Sequence, residues 1–127
     1  MDLVVMCVFV RRMLVVSLLL LMSACQLSLS QQELSEQVLD VKVFDGGIQV
    51  KSYQAEIGTP LHNQVTSLIL AKSKNWSPNF VTYSPGVVIY GDGFNINFLG
   101  EQAIYNGATG QLTRKINPAD YMFLISM

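Results

Sequence analysis

Of all the reactive groups in this chain, the thiol of Cys25 has the neighbouring sequence that most clearly predicts a chemical reaction. Two small residues, Ser23–Ala24, stand directly before it, and the stretch before them, Met13–Met22, is apolar apart from one serine. That stretch follows the basic pair Arg11–Arg12. A positive segment, a short apolar segment and small residues at a cleavage site are the three parts of a secretory signal peptide. The pattern predicts a signal peptide over residues 1–24 and a mature chain that begins at Cys25.

Residues 21–25 read LMSAC, and with the charge and apolar stretch before them they resemble the lipobox signal peptide of bacterial lipoproteins. The resemblance covers residues 11–25. It implies that the Cys25 thiol takes a diacylglycerol, that cleavage follows, and that the new N-terminus is acylated. In Gram-negative members of this family, Asp after the Cys favours the inner membrane. Gln26 stands there in this chain, which implies an outer-membrane lipoprotein of the cell envelope that faces the periplasm.

Acylation would make the membrane the first partner of this chain, because each buried methylene contributes about 0.8 kcal/mol. The alternative to a cleaved signal is a membrane-spanning anchor that extends back through Leu3–Val10. Met13–Met22 alone makes a helix of about 15 Å, roughly half of a hydrocarbon core. The longer stretch would place Arg11–Arg12 near its centre, where each arginine costs about 2.5–3.5 kcal/mol. We therefore favour cleavage, which also removes Cys7 and leaves Cys25 without a disulfide partner.

The composition of the mature chain favours one small domain and excludes one class of partner. From Cys25 onwards the sequence has six basic and eight acidic residues, in no long run of one sign. A nucleic-acid-binding surface needs a basic stripe that neutralises phosphates, so we predict no nucleic acid as a partner. Residues 25–36 begin with a polar stretch free of aromatics, which predicts a lipidated tether. Residues 37–127 have the size of a single domain.

The first half of that domain contains a hairpin signal followed by a helix signal. Leu39–Val43 and Ile48–Lys51 each alternate between apolar and polar residues, and the turn sequence Asp45–Gly47 lies between them. This arrangement predicts an N-terminal β-hairpin. Thr59–Pro60 then suits the cap and first position of a helix. Apolar residues recur at helical spacing beyond it, which predicts an amphipathic helix over about residues 60–74.

The second half has the pattern of short strands separated by turns rich in glycine and proline. In the clearest alternation, Phe94, Ile96 and Phe98 oppose Asn95 and Asn97, and we expect the asparagine face to be solvated or to meet a partner. The predicted fold class is α+β: the N-terminal hairpin, the one helix, and then an antiparallel β-meander packed on it. The other predicted strands are Phe80–Tyr83, Val87–Tyr90, Ala103–Tyr105, Leu112–Ile116 and Tyr121–Ile125, the last with a short helix opened by Pro118 as its alternative.

The residues that could catalyse a reaction or bind a metal are few and scattered. His62, the only histidine, lies in the first turn of the predicted helix, where we expect a surface or capping role. Zinc usually needs three or four Cys, His or carboxylate ligands, and Asp92 between two glycines is typical of a turn. No motif of a nucleophile, a phosphate-binding loop or a dinucleotide site occurs. We therefore predict no catalytic residues, no metal and no cofactor.

Aromatic residues concentrate in the second half, and most are expected in the core. Trp76 and Tyr83 differ, because they flank Pro78 and Pro85 in turn-rich sequence, where binding residues often lie. Tryptophan and tyrosine are also enriched in the hot spots of protein contacts. We therefore predict that Trp76 and Tyr83 form a partner-binding surface.

A secretion signal, one domain and no chemistry-bearing motif together favour a lipid-anchored envelope lipoprotein that is not an enzyme. Such a module would bind another protein or assist an assembly, most simply at the outer membrane. One alternative is an immunity or inhibitor lipoprotein that acts in the periplasm. The other is an enzyme or ligand carrier acting on cell wall, lipid or sugar, with carboxylates or tyrosines that only the fold brings together.

Overall fold

The computed structural model describes residues 26–108 and 110–127. Its architecture is α+β, with seven strands in one antiparallel sheet and few, short helices, which confirms the predicted class. The strands are β1 Leu39–Asp45, β2 Ile48–Ala55, β3 Ser77–Pro78, β4 Val87–Gly91, β5 Phe94–Leu99, β6 Gln102–Gly107 and β7 Gly110–Lys115. The helices are α1 Gln31–Ser35 and α2 Pro60–Ala71, with 3-10 turns at Pro118–Asp120 and Met122–Leu124.

The order of the strands across the sheet is β2-β1-β4-β5-β6-β7-β3, and every neighbouring pair is antiparallel. β4 to β7 follow one another as a meander, whereas β1 lies between β2 and β4. β3 has only two residues and pairs with β7 at the edge of the sheet. The chain must therefore cross one face of the sheet to travel from β3 to β4. We call the crossing segment, residues 79–86, the strap.

The predicted strand Phe80–Tyr83 is wrong, because these residues lie in the strap and belong to no strand. Pro78 closes β3 without a backbone N–H to donate, and Pro85 has none to donate near the other end of the strap. Residues 80–83 therefore form a segment that lies on the sheet and not within it.

The face of the sheet opposite the strap carries the main core. Val41, Ile89 and Ile96 are cross-strand neighbours in the middle of this face and are buried. Val65 and Ile69 of α2 are buried in the same cluster. The other buried members are Leu27, Leu34, Leu39, Val43, Ala55, Leu68, Trp76, Val87, Phe94, Phe98, Ala103, Tyr105, Ile116, Tyr121 and Leu124.

The start of α2 follows from its local sequence, and its end does not. Thr59 Oγ1 accepts a hydrogen bond from the His62 N–H at 3.2 Å. Pro60 occupies the first turn, where a backbone N–H would have no partner within the helix, so the lack of one in proline costs no hydrogen bond. The helix ends at Ala71 and not near residue 74. Asn75 adopts a left-handed conformation with φ of 67°, which Asn tolerates better than most residues. This conformation turns the chain away from the helical path.

The segment predicted as a tether contributes two side chains to the core. Leu27 and Leu34 are buried, Leu34 completely. Ser30 caps α1, and the Leu27 N–H donates to Ser73 O at 2.8 Å. The polar composition of residues 25–36 suggested a solvated linker, but Leu27 and Leu34 fix the described part of that segment on the domain.

The predicted final strand Tyr121–Ile125 is wrong, and the chain instead adopts the alternative, helical turns that follow Pro118. The Tyr121 ring stacks on Phe98 with centroids 5.1 Å apart, and its hydroxyl donates to Gly100 O at 2.7 Å. Burial raises the pKa of the Tyr121 phenol above its ordinary value. Residues three apart lie on one side of a 3-10 helix, so this turn buries Tyr121 and Leu124 together.

Replacing Leu34 by Ala tests whether the residues before β1 belong to the folded unit. Because this side chain is completely buried, we expect Leu34→Ala to lower the free energy of unfolding by about 2–5 kcal/mol. Urea denaturation of the mature protein, followed by circular dichroism, measures this change. The matched control is Val38→Ala at a side chain that is 43% exposed, with an expected change within about 0.5 kcal/mol. Equally small effects of both substitutions would mean that the segment is a solvated tether.

Candidate functional site

The strap lies across the face of the sheet that is turned away from the main core. Val88, Asn97, Ile104 and Thr113 form one row of cross-strand neighbours on β4 to β7. All four side chains are buried, although none belongs to the main core. The strap therefore closes a second, smaller layer over this half of the sheet.

Amide side chains of the sheet hold the strap at both of its ends. Near β4, Asn97 Oδ1 accepts from the Gly86 N–H at 2.9 Å. Near β7, Gln111 accepts twice, through its backbone O from the Asn79 N–H at 3.3 Å and through its Oε1 from the Val81 N–H at 2.6 Å. A segment that lies on a sheet cannot join the strand ladder, so its backbone donors need other acceptors. The amides of β5 and β7 supply them.

Tyr83, one of the two predicted binding residues, lies in the middle of the strap and is half-buried. Asn106 Nδ2 donates to the Tyr83 hydroxyl oxygen at 2.7 Å and to Asn95 Oδ1 at 3.1 Å. Gln111 Nε2 in turn donates to Asn106 Oδ1 at 3.2 Å. Asn95, Asn106 and Gln111 are direct cross-strand partners. The Tyr83 hydroxyl is therefore already engaged by the chain itself.

The asparagine face of β5, which we expected to be solvated or to meet a partner, is covered in part by the strap. Asn97 is completely buried and Asn95 is half-buried. Within the described residues, Asn97 Nδ2 has no hydrogen-bond partner, so this side chain holds the strap through its oxygen alone. The sequence contained one indication of this covering, the amide side chains of Asn95, Asn106 and Gln111. These residues become neighbours only in the strand register, however, and local sequence does not predict the register.

The prediction that Trp76 lies on a binding surface is wrong. Its side chain is 1% exposed, and its ring packs edge-to-face on Tyr105 with centroids 6.2 Å apart. The indole N–H donates to Lys72 O at 2.5 Å, so it satisfies a carbonyl that follows the end of α2. The left-handed turn at Asn75 directs the chain back into the core at this point. Burial, with a further contribution from the charge of Glu33, raises the pKa of Tyr105.

Phe80 is the surface residue that sequence reasoning missed. It is 91% exposed, the largest fraction among the large hydrophobic side chains that the structure describes. Its neighbours Asn79 and Val81 both donate their N–H groups to Gln111, so the backbone on either side of Phe80 is fixed. From this position the exposed and half-buried residues of the strap alternate. We call its three outward side chains the strap surface: Phe80, Thr82 and Ser84.

The other candidate residues occupy structural positions. His62, expected at the surface or in a cap, is 3% exposed, and its Nε2 lies 2.8 Å from Gln37 O. Asp92 lies in the turn between β4 and β5, and its N–H donates to Gln37 Oε1 at 2.6 Å. Gln37 thus joins the start of α2 to that turn. Across residues 26–108 and 110–127, no three His, Cys, Asp or Glu side chains come close enough together to hold a metal ion.

The chain matches no protein-family profile, and no similar protein was found among the curated proteins or the solved structures. The predicted signal peptide, residues 1–24, and the predicted lipidation site, Cys25, lie outside the described residues. None of the helices in the described part of the chain has both the length and the apolar character needed to cross a bilayer.

Replacing Asn97 by Ala tests whether the amides hold the strap. The substitution leaves the Gly86 N–H without its acceptor in a buried position, so we expect the free energy of unfolding to fall by about 1–3 kcal/mol. Hydrogen exchange should show faster exchange of the Gly86 amide, because the strap opens locally. Asn95→Ala, at a half-buried amide that holds no strap backbone, is the control and should leave Gly86 protected. Unchanged exchange at Gly86 in Asn97→Ala would contradict this role.

Proposed function

We propose that this chain is a lipid-anchored envelope protein whose domain binds another protein and does not itself catalyse a reaction. The observation that carries the binding role is Phe80, which is 91% exposed between two backbone N–H groups that are both bonded to Gln111. Large aromatic side chains contribute strongly to protein contacts when a partner encloses them. A segment that is already held in place also loses little conformational entropy on binding, which favours affinity.

The surroundings of Phe80 suit a contact with an apolar centre and a polar rim. Full burial of an exposed Phe side chain contributes about 1.5–3 kcal/mol. Thr82 and Ser84 present hydroxyl groups on the same outward side of the strap, where a rim is normally polar. Tyr83 supports this surface from below, because its bond with Asn106 ties the middle of the strap to β6. We therefore assign Tyr83 a positioning role and Phe80 the central contact.

The envelope location is supported by the sequence over residues 11–25 and by where the domain begins. Leu27 follows Cys25 by two residues, and its side chain is buried in the domain. A lipid on Cys25 would therefore hold the domain directly at a bilayer and not at the end of a long linker. Gln26 after the cysteine favours the outer membrane, with the domain on the periplasmic side.

We further infer how the parts of the fold divide these tasks. In this interpretation the N-terminal hairpin of β1 and β2 and the helix α2 close the main core, and the β-meander packs on them. The other face of the meander is then left to carry the strap. The binding surface and the main core thus lie on opposite faces of one sheet.

Replacing Phe80 by Ala tests the binding role. We expect this variant to weaken capture of the partner at least about 30-fold, because hot-spot side chains contribute about 2 kcal/mol or more. The free energy of unfolding should change by less than about 0.5 kcal/mol, since the side chain makes few contacts in the folded domain. The measurement is capture from envelope extracts by the acylated protein in mild detergent, followed by titration with the purified partner.

The control for Phe80→Ala is Ile57→Ala, which removes a side chain that is 52% exposed in the loop before α2. It should leave capture unchanged. Equal capture by Phe80→Ala and the parent protein would contradict the binding role of the strap surface. Recovery of no partner, together with turnover of a cell-wall fragment by the protein, would replace the binding proposal with an enzymatic one.

Replacing Cys25 by Ser tests the anchor. We expect the parent protein, expressed in a Gram-negative host, to lose residues 1–24 and to gain the mass of its acyl chains. Cys25→Ser should keep its leader and carry no lipid, because serine offers no thiol for diacylglycerol transfer. Cys7→Ser, within the segment predicted to be removed, is the control and should be processed normally. Intact-mass spectrometry that shows a bare Cys25 thiol with the leader still attached would refute the anchor.

A further inference from the structure

One end of the sheet collects the entry point of the chain and most of its basic residues. We call it the anchor end; it comprises the β1–β2 turn, the β5–β6 turn and the last residues of β7. Leu27 enters here, because its N–H donates to Ser73 O at 2.8 Å. Lys74 O, one residue further on, accepts from Arg114 Nη1 of β7 at 2.6 Å. At most about 3.6 Å per residue separates Leu27 from Cys25, so lipid on Cys25 would meet the bilayer beside this end.

Five of the six basic residues that follow Cys25 lie at the anchor end: Lys51, Lys72, Lys74, Arg114 and Lys115. Lys74 and Lys115 are exposed. Three acidic residues share this end. Asp45 is the last residue of β1, at the β1–β2 turn. Asp120 pairs with Lys72 at 2.9 Å, and Glu101 lines an open cleft of about 660 Å³ together with Arg114 and Lys115. The balance at this place is positive, although the mature chain as a whole is negative.

The opposite end of the sheet is acidic. Asp92 lies in the β4–β5 turn, Asp40 is the second residue of β1, and Glu56 follows the end of β2. Glu36 lies beside Gln37, whose side chain accepts from the Asp92 N–H. The domain therefore carries a charge axis that runs along its strands, with the positive end where the chain enters.

Exposed apolar side chains add to the anchor end. Ile48 and Val50 beside the β1–β2 turn are 71% and 60% exposed, and Leu99 at the end of β5 is 43% exposed. Val50, Leu99 and Ile125 line an open cleft of about 360 Å³. Lys51 Nζ donates to Ile125 O at 2.9 Å and so holds the C-terminal turns at this cleft. Apolar side chains flanked by basic ones are what a surface in the headgroup region of a bilayer needs.

We propose that the anchor end rests on the bilayer, with its basic residues on anionic phospholipid headgroups and its apolar residues in the interface. This proposal rests on the proposed acylation of Cys25. Charge complementarity and the entry of the chain at Leu27 both select a membrane as the occupant of this surface. The strap surface is then held away from the lipid. Phe80 lies near Gln111 at the start of β7, whereas Lys115 at the anchor end is the last residue of that strand.

Fluorescent labels at the two ends of the sheet test this orientation. After acylation and removal of the leader the mature chain has no free thiol, so single cysteines accept a label selectively. The acylated protein is labelled at Leu99→Cys or at Asp92→Cys and placed in vesicles of phosphatidylethanolamine and phosphatidylglycerol that contain a quencher in the headgroup region. We expect strong quenching of the label at position 99 and little at position 92. Vesicles without phosphatidylglycerol should show much weaker quenching at position 99.

Charge variants identify the residues responsible. Lys74→Gln and Lys115→Gln should each weaken docking of the domain about fivefold, since a basic residue near an anionic surface contributes about that factor. Lys42→Gln, on β1 away from the anchor end, is the matched control and should leave the quenching at position 99 unchanged.

Equal quenching at positions 92 and 99, or none at either, in protein whose acylation is verified by mass spectrometry would overturn the orientation and leave the anchor standing. Absence of acyl chains on Cys25 would overturn both proposals together. If the label at position 99 is instead protected from the quencher, and the protection depends on protein density and not on lipid composition, this end contacts a second copy of the chain. That result would also overturn the proposal.

Discussion

The separation of two consecutive strands is the constraint on which this structure depends. β3 pairs at the outer edge of the sheet, whereas β4, the next strand along the chain, lies in its interior. The backbone that leaves Pro78 must therefore pass over β7, β6 and β5 before it reaches Val87. A buried N–H without an acceptor costs about 1–3 kcal/mol, and a crossing segment has no strand partner. Asn97 and Gln111 supply the acceptors. Their hydrogen bonds fix the connecting segment on the face of the sheet.

The exposure of Phe80 follows from this crossing and not from local composition. An extended chain presents alternate side chains to opposite sides, and Val81 and Tyr83 are half-buried on the side of the sheet. Phe80 consequently has no place in the layer beneath the strap, even though it is more apolar than Tyr83. A flexible loop would bury such a side chain by bending; bonds from both of its neighbours to Gln111 oppose that bend.

The sequence predicted the elements that short-range chemistry decides and missed those that distant pairing decides. The start of α2 at Pro60 and the inward side of β5 depend on adjacent residues, and both agree with the structure. Trp76 has the composition of a surface turn around it, yet the left-handed residue before it and a carbonyl of Lys72 place it in the core. The strap could not be foreseen, because it exists only once β3 is known to pair with β7.

The charge axis can orient the domain on a membrane because its two ends are further apart than the distance over which salt screens charges. β5 has six residues, and a strand of that size is about 20 Å long. Charges in solution are screened beyond about 10 Å at 0.1 M salt, so an anionic surface in contact with Lys115 attracts the basic end while it scarcely repels Asp92 at the other. Contact of the acidic end with the anionic surface would place four carboxylates against that surface. It would also leave the apolar side chains of Ile48 and Leu99 in water. A lipid on Cys25, as proposed, would also oppose that arrangement, because Leu27, two residues further on, is bonded to Ser73 at the basic end.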